Sequence, residues 1–435
     1  VTGVSRDGSI VSTRDGNGNL VSLISASIGP AGHSGIPSES AADVDIFRLN
    51  NGQPIAPGTR MTITVKLTDL GADLGSASYG SISETRGQVQ FALFDISSST
   101  DIDDGTLVFS PTDFRANGGT PNTVIADNGS TRYGYDANGD FYISFIAPDR
   151  IDAPGQAARF AVYIQGIRNT DYQIEVVTHA GTETTQRNNQ NFLIETAGGV
   201  IDWLEAGGQT TTLRPFLASV LGFNGTINGL PVQDYIVTSL VAQLNSLFRG
   251  SSGFNVTFSA NPADFEFQPF STIFLTSEVD PISSIFNPFA FDTRFSFGNE
   301  VSETIQPYGY SQHSDALNAD LEDEAVVFVP SFSLQGFSPS KADVDQFVQA
   351  TTAAIARRAG ELMGLRITEA YEPTTSTFDP MAANSVDNRP GAGRTYSLPG
   401  FDRSLSDPLD SVNRTDFYLG QQNARSLLDK VLNRL

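Results

Sequence analysis

Between residues 43 and 179 apolar and polar or small positions alternate with a period of two. Segments 61–67, 89–94, 141–146 and 160–164 carry the pattern most clearly, with Gly, Asp and Asn turns between them. Short strands at this spacing, with no helical stretch among them, predict a β-sandwich. The sequence is polar and unpatterned over 181–190, and beyond it the period changes. In 232–249, Tyr235, Ile236, Leu240, Leu244 and Leu247 share one face of a helix,. Short β-type runs follow at 254–258, 271–275 and 324–329. A second helical pattern then places Val344, Phe347, Val348, Thr351, Ile355, Leu362 and Leu365 on one side of a helix over 341–366,. The division that results is 1–40, 41–180 and 181–435. Trp203 sits in a short apolar run and is assigned to the core.

Residues 1–40 hold two Asp-Gly turns, at Asp7 and Asp15, each ahead of a short apolar pair, which is hairpin wording,. Segment 31–40 is rich in Gly, Ser and Pro and reads as a loop. Asp15, Asn17 and Asn19 place oxygens at alternate positions, as do Asp136, Asn138 and Asp140 further on. Both sets admit two readings. One is a calcium loop, in which such oxygens converge on a hard cation. The other is a plain turn, which favours the same residues for backbone reasons. His179, in a Thr- and Gly-rich stretch, is expected to be a solvated linker residue.

Candidate chemistry concentrates in 356–368, late in the second helical pattern. Arg357 and Glu361 stand four apart, one helical turn, so a guanidinium and a carboxylate lie within reach of each other on one face,. The wording Gly360-Glu361-Leu362-Met363-Gly364-Leu365-Arg366-Ile367-Thr368 resembles the active-site helix of metzincin zinc proteases, whose pattern is His-Glu-x-x-His-x-x-Gly-x-x-His,. Gly360, Gly364, Leu365, Arg366 and Thr368 fall where that family has them. The chemistry does not: Arg357 stands in place of the first zinc-binding His, Arg358 of the catalytic Glu, Glu361 of the second His and Ile367 of the third. Arginine is always protonated and offers zinc no lone pair. What the resemblance implies is a zincin fold without catalysis, with an Arg357–Glu361 pair filling the place of the metal.

Two further stretches carry the same resemblance. Phe378-Asp379-Pro380-Met381-Ala382-Ala383-Asn384-Ser385 looks like the turn beneath the zinc site of metzincins, with Met381 as its methionine, and 421–428 looks like the closing helix of such domains. Of three methionines in the chain, one lies in the helix motif and one in this turn. The stretches 43–49 and 169–176 resemble the first and last strands of bacterial pre-peptidase C-terminal domains, small sandwich modules attached to secreted proteases. The expected fold class is therefore multidomain: an N-terminal all-β, jelly-roll-like sandwich followed by an α/β zincin-like (metzincin-type) domain.

Charge narrows the partners. The 435 residues include 49 acidic and 26 basic side chains, a net charge of −23. That argues against nucleic acid or an anionic membrane, each of which needs a basic face. No apolar run approaches the length of a membrane helix. There is no cysteine, hence no disulfide or thiol chemistry. Three scattered histidines make no Ser-His-Asp set,. His313 precedes an acidic cluster over 314–324, read as a solvated loop. A signal peptide is expected to have been removed, an inference that leans on the family. The expectation is a secreted or cell-surface bacterial protein without catalysis and without a cofactor other than calcium, acting through protein partners or self-association. The N-terminal 35 residues and the sandwich edges are its expected contact surfaces. The alternative is a hydrolase working through a non-zinc or different metal site.

Overall fold

The computed structural model describes residues 4–5, 9–28, 43–70, 89–98, 105–110, 120–166, 170–203, 209–251, 253–277, 309–312, 315–329, 340–365, 407–408, 421–422 and 424–434. The chain divides into two compact units. The first comprises Val1–Gln186, Asp315–Asp320 and Phe417–Lys430; the second comprises Arg187–Ser314, Leu321–Asp416 and Val431–Leu435.

The first unit is built from two sheets. One sets Ser9–Arg14, Leu20–Ile28, Thr170–Thr178, Arg60–Leu70, Phe141–Ile146, Thr131–Tyr135 and Thr123–Asp127 side by side, each antiparallel to its neighbour. The other includes, side by side, Val4–Ser5, Asp43–Arg48, Phe160–Gly166, Val89–Asp95, Thr106–Phe109 and Gln421–Gln422. Period-two alternation turns Met61, Ile63 and Val65 inward while Thr62 and Thr64 stay half-exposed,. Rings from the two sheets then meet edge to face: Phe91 with Phe141 at 6.2 Å, Phe109 with Phe145 at 5.0 Å and Phe47 with Tyr172 at 6.3 Å. Burying each such side chain is worth about 2–3 kcal/mol. This is the arrangement of a β-sandwich.

Residues 1–40 are not a piece apart. Leu20–Ile28 pairs residue for residue with Thr170–Thr178, and Val4–Ser5 lies parallel to Val44 and Asp45. The N-terminal hairpin is thus ordered by its own sheet and needs no neighbouring molecule for that. Segment 31–40 lies outside the described residues. His179, expected as a solvated linker, is half-buried, with Nε2 at 3.1 Å from Thr62 Oγ1. Its backbone N–H donates to the Arg60 carbonyl at 2.9 Å, which extends the strand pairing to that point.

The second unit has a five-stranded sheet in the order Val256–Ser259, Gln190–Glu195, Ser271–Thr276, Glu324–Phe328, Gly309–Ser311. The first four are mutually parallel and the edge strand Gly309–Ser311 is antiparallel. Parallel neighbours need a crossover. Helix α1, Val232–Asn245, lies in the crossover from Gln190–Glu195 to Val256–Ser259 and buries Val232, Ile236, Leu240 and Leu244 at a spacing of four. The edge strand depends on Gly309, where an added Cβ would stand 2.1 Å from the Val326 carbonyl oxygen,. Trp203 ends the short strand Gly199–Trp203, and its side chain lies outside the described residues.

Helix α2, Lys341–Leu362, starts where Ser340 Oγ accepts the Asp343 N–H at 3.3 Å, an N-cap,. Its apolar stripe, Val344, Phe347, Val348 and Ile355, is buried, and Tyr235 of α1 donates to Asp345 Oδ1 at 2.6 Å. It stops at Gly364, whose φ of 94° is open to glycine at little cost,. There the Leu365 N–H reaches the Gly360 carbonyl and the Gly364 N–H reaches that of Glu361, each at 2.9 Å. These two bonds make a Schellman motif, which gives the motif's glycine a local reason. Helix α3, Ala424–Val431, overlaps the stretch 421–428 read as a closing helix, but its residues up to Lys430 group with the first unit. No described helix is long and apolar enough to cross a membrane.

Candidate functional site

The last two turns of α2 bring charged groups into a buried setting. Arg357, Arg358 and Glu361 have side chains only 9%, 13% and 11% exposed. Arg357 Nε lies 3.8 Å from Glu361 Oε1, inside ion-pair range but beyond a hydrogen bond,. The tight partner of Glu361 is Arg358, whose Nη1 donates to Oε2 at 2.6 Å. The same oxygen accepts the hydroxyl of Ser311, on the antiparallel edge strand, at 2.6 Å. Among the described residues Arg357 Nε and Nη1 have no hydrogen-bond partner, although both atoms are buried.

The pair expected from the four-residue spacing is therefore present but loose. Both guanidiniums lie within ion-pair range of the Glu361 carboxylate. The i,i+3 spacing of Arg358 and Glu361 was a legible signal for the tighter contact. Ser311 had none, since it stands 50 residues away in sequence. Neither guanidinium can bind zinc, and Glu361 is held by Arg358 and Ser311, so this donor set does not fit the metal that the motif's family uses. Ile367 and Met381, with the whole turn at 378–385, lie outside the described residues.

The two oxygen-rich turns of the first unit share one geometry. Asp136 Oδ1 accepts the N–H groups of Asn138 at 2.7 Å and Asp140 at 3.0 Å; Asp15 Oδ1 accepts those of Asn17 at 2.8 Å and Asn19 at 3.0 Å. Each turn closes on a glycine with positive φ, Gly139 or Gly18, the three-residue hairpin loop. Oδ1 of the first aspartate thus holds the turn. They differ in electrostatics. The Asn19 amide, 2.9 Å from Asp15 Oδ2, holds that carboxyl below its ordinary range. Burial, and then the charge of Asp136, push the Asp140 carboxyl up. Among the described residues no three His, Cys, Asp or Glu side chains converge as a metal site.

The acidic stretch before Glu324–Phe328 is not a solvated loop throughout. Asp315 and Asp323 are each 1% exposed. Asp315 accepts the Tyr133 hydroxyl at 2.9 Å and the Asp320 N–H at 2.8 Å. Leu317 and Asn318 take left-handed backbone conformations here, with their carbonyls toward Asn128 Nδ2. His313 lies outside the described residues.

No protein-family model and no curated protein matches the chain. Among solved structures, a match covers 43% of this chain: the Clostridium thermocellum N-terminal endo-1,4-beta-D-xylanase 10B, CBM22-1 and GH10 modules complexed with xylohexaose. The identity is 11%, the TM-score 0.18, and the chain spans 29% of that structure's length.

Proposed function

We propose that the second unit is a catalytically inactive, metzincin-like domain, carried with a β-sandwich in a secreted or cell-surface bacterial protein that works by binding other proteins or its own copies. The observation that carries this reading is the Arg357–Arg358–Glu361 cluster on a helix whose wording resembles the zinc-binding helix of those proteases. Support also comes from the order of elements, helix α1, strands, then α2, which agrees with what the resemblance implies for the first half of a zincin. Where an active relative would hold a metal and a carboxylate base, this chain offers two fixed cations and a carboxylate already engaged by Ser311 and Arg358. An arginine cannot serve as a base at any working pH. The acidic surface fits protein partners better than nucleic acid,.

The test is direct. The protein, purified without chelators and supplied with zinc, is assayed for bound metal and for hydrolysis of unfolded casein. The expected result is no stoichiometric zinc and no cleavage above buffer. Zinc at one per chain, or cleavage abolished by a chelator, contradicts the proposal.

A further inference from the structure

We propose that copies of this chain associate head to tail, with Phe267 of one seated on an uncharged apolar surface within 215–233 of the next. The Phe267 turn is one that stability alone would not choose. Glu266 (φ −52°, ψ 125°) and Phe267 (φ 65°) are the central pair of a type II β-turn, closed by the Gln268 N–H on the Phe265 carbonyl at 2.9 Å. The second central position needs a positive φ and suits Gly or Asn; a bulky side chain there is strained. Nothing inside the molecule offsets that strain, since Phe267 is 96% exposed. Its mounting is nonetheless firm. Phe265 is buried with its ring 5.6 Å from that of Phe270, and Asp264 accepts the Ser259 hydroxyl. Asn191 Nδ2 donates to Gln268 Oε1 at 3.2 Å and to the Pro269 carbonyl at 3.1 Å. An exposed aromatic held this rigidly has the properties of an interface anchor, because little freedom is left to lose on binding.

The receiving surface lies at the other end of the same sheet. Asn191 stands at the start of Gln190–Glu195, and Pro269 two residues before Ser271–Thr276, so the Phe267 turn sits at the N-terminal end of these parallel strands. At their C-terminal end the Phe216 N–H donates to the Thr196 carbonyl at 2.9 Å and the Leu217 N–H to Ser277 Oγ at 2.8 Å. The Gln233 side chain ties this segment to the start of α1, accepting the Ala218 N–H at 2.7 Å and donating to the Phe216 carbonyl at 2.9 Å. Leu217, Val220 and Leu230 are exposed there. Positions 215–233 hold no charged residue, although 17% of the chain is charged. That absence selects the occupant. Copies with a net charge of −23 repel one another,, and Asp264 and Glu266 flank Phe267, so a second copy meets least repulsion where charge is missing. A basic partner would be drawn to the acidic faces instead. A knob and its seat at opposite ends of one sheet make a heterologous contact, which builds rows or rings of copies rather than a two-fold pair. The pairing deepens the reading above by naming the partner and the surface, and it rests on that reading only for self-association as a mode of action.

The experiment measures sedimentation of the full-length protein over a wide range of concentration at physiological ionic strength, where surface charge is screened. The mean mass should rise with concentration beyond that of a dimer. Phe267→Asn, which suits the turn, and Val220→Asp, which charges the seat, should each weaken association by about tenfold or more. The melting temperature of Phe267→Asn should be no lower than that of the wild-type protein, since the change removes strain and no internal packing. Val124→Thr, at an exposed apolar residue of the other unit, should leave association unchanged. A mixture of Phe267→Asn and Val220→Asp should form pairs and nothing longer, because one variant keeps the seat and the other the knob. A wild-type protein that stays monomeric, association unchanged in Phe267→Asn, or a mixture that stays monomeric overturns the proposal. So does Phe267-dependent sedimentation of the monomer with phosphatidylcholine vesicles, which would assign the ring to a membrane surface. A protein with zinc and protease activity that still assembles through Phe267 would defeat the inactive-protease reading alone. An inert protein that stays monomeric would defeat this surface alone.

Discussion

The two units treat buried charge in opposite ways. In the sandwich, buried carboxylates are met by neutral donors or by one matching cation. Asp45 accepts the Tyr172 hydroxyl at 2.6 Å, and Asp95 accepts the N–H groups of Ser97 at 2.8 Å and Ile151 at 2.9 Å. Asp149 meets Lys430 at 2.5 Å. In the α/β unit, the end of α2 gathers two guanidiniums around one carboxylate and leaves donors of Arg357 unanswered. A fold under selection for stability alone favours the first pattern. A buried donor left without a partner costs more than a made bond returns. The difference teaches where the chain departs from that selection.

The comparison breaks first at Glu361. Glu361→Gln leaves two largely buried cations without their shared anion, and the second unit should lose about 3–5 kcal/mol. Urea unfolding, with Trp203 reporting on the second unit, measures it. A loss no larger than that of an exposed control substitution would mean the cluster is solvated in solution. In the sandwich, Tyr172→Phe takes a hydroxyl from Asp45, which is 2% exposed. The expected cost is about 1–3 kcal/mol, read by urea unfolding followed by far-UV circular dichroism, which reports the strands of the first unit. Arg357→Met should change stability in the other direction. It removes, at similar volume, a guanidinium whose Nε and Nη1 have no hydrogen-bond partner among the described residues, and the expected outcome is a neutral to stabilising shift of up to about 2 kcal/mol. A strong loss would show that Arg357 is answered by the protein itself.

The smallest effect is one of pH. Burial pushes the Asp149 carboxyl up, but its bonds to Lys430 and the Gly155 N–H outweigh that and leave its pKa lowered. A lowered carboxylate pKa adds stability that is full above the unfolded value, about 3.9, and is lost as pH falls through the folded one. Lys430→Met should therefore flatten the acid limb of the stability curve below that value. An unchanged acid limb would mean that the pair, 8% and 20% exposed, does not hold in solution.

Much of the fold was legible because its determinants are local. Period-two patterning located the strands of the sandwich, since one face of each must be dry, and the stripe from Val344 to Ile355 located α2. Gly364 was legible as a motif position, and the structure supplies its cause in the Schellman bonds. What escaped depends on partners distant in sequence. The acidic stretch looked solvated because four of its residues are charged in a row of six. Burial of Asp315 is allowed by Tyr133, 182 residues away. Ser311 reaches Glu361 through strand order alone. His179 looked like a linker because the pairing that carries it toward Thr62 runs between distant strands.

The central proposal is that α2 corresponds to a zinc-binding helix with its chemistry replaced, and the most direct measurement puts that chemistry back. In the variant Arg357→His, Arg358→Glu, Glu361→His and Ile367→His, metal analysis after dialysis against trace zinc should find one zinc per chain, against none in the wild-type protein. Equal metal content in the two proteins, with the variant shown to be folded by circular dichroism, would contradict the account.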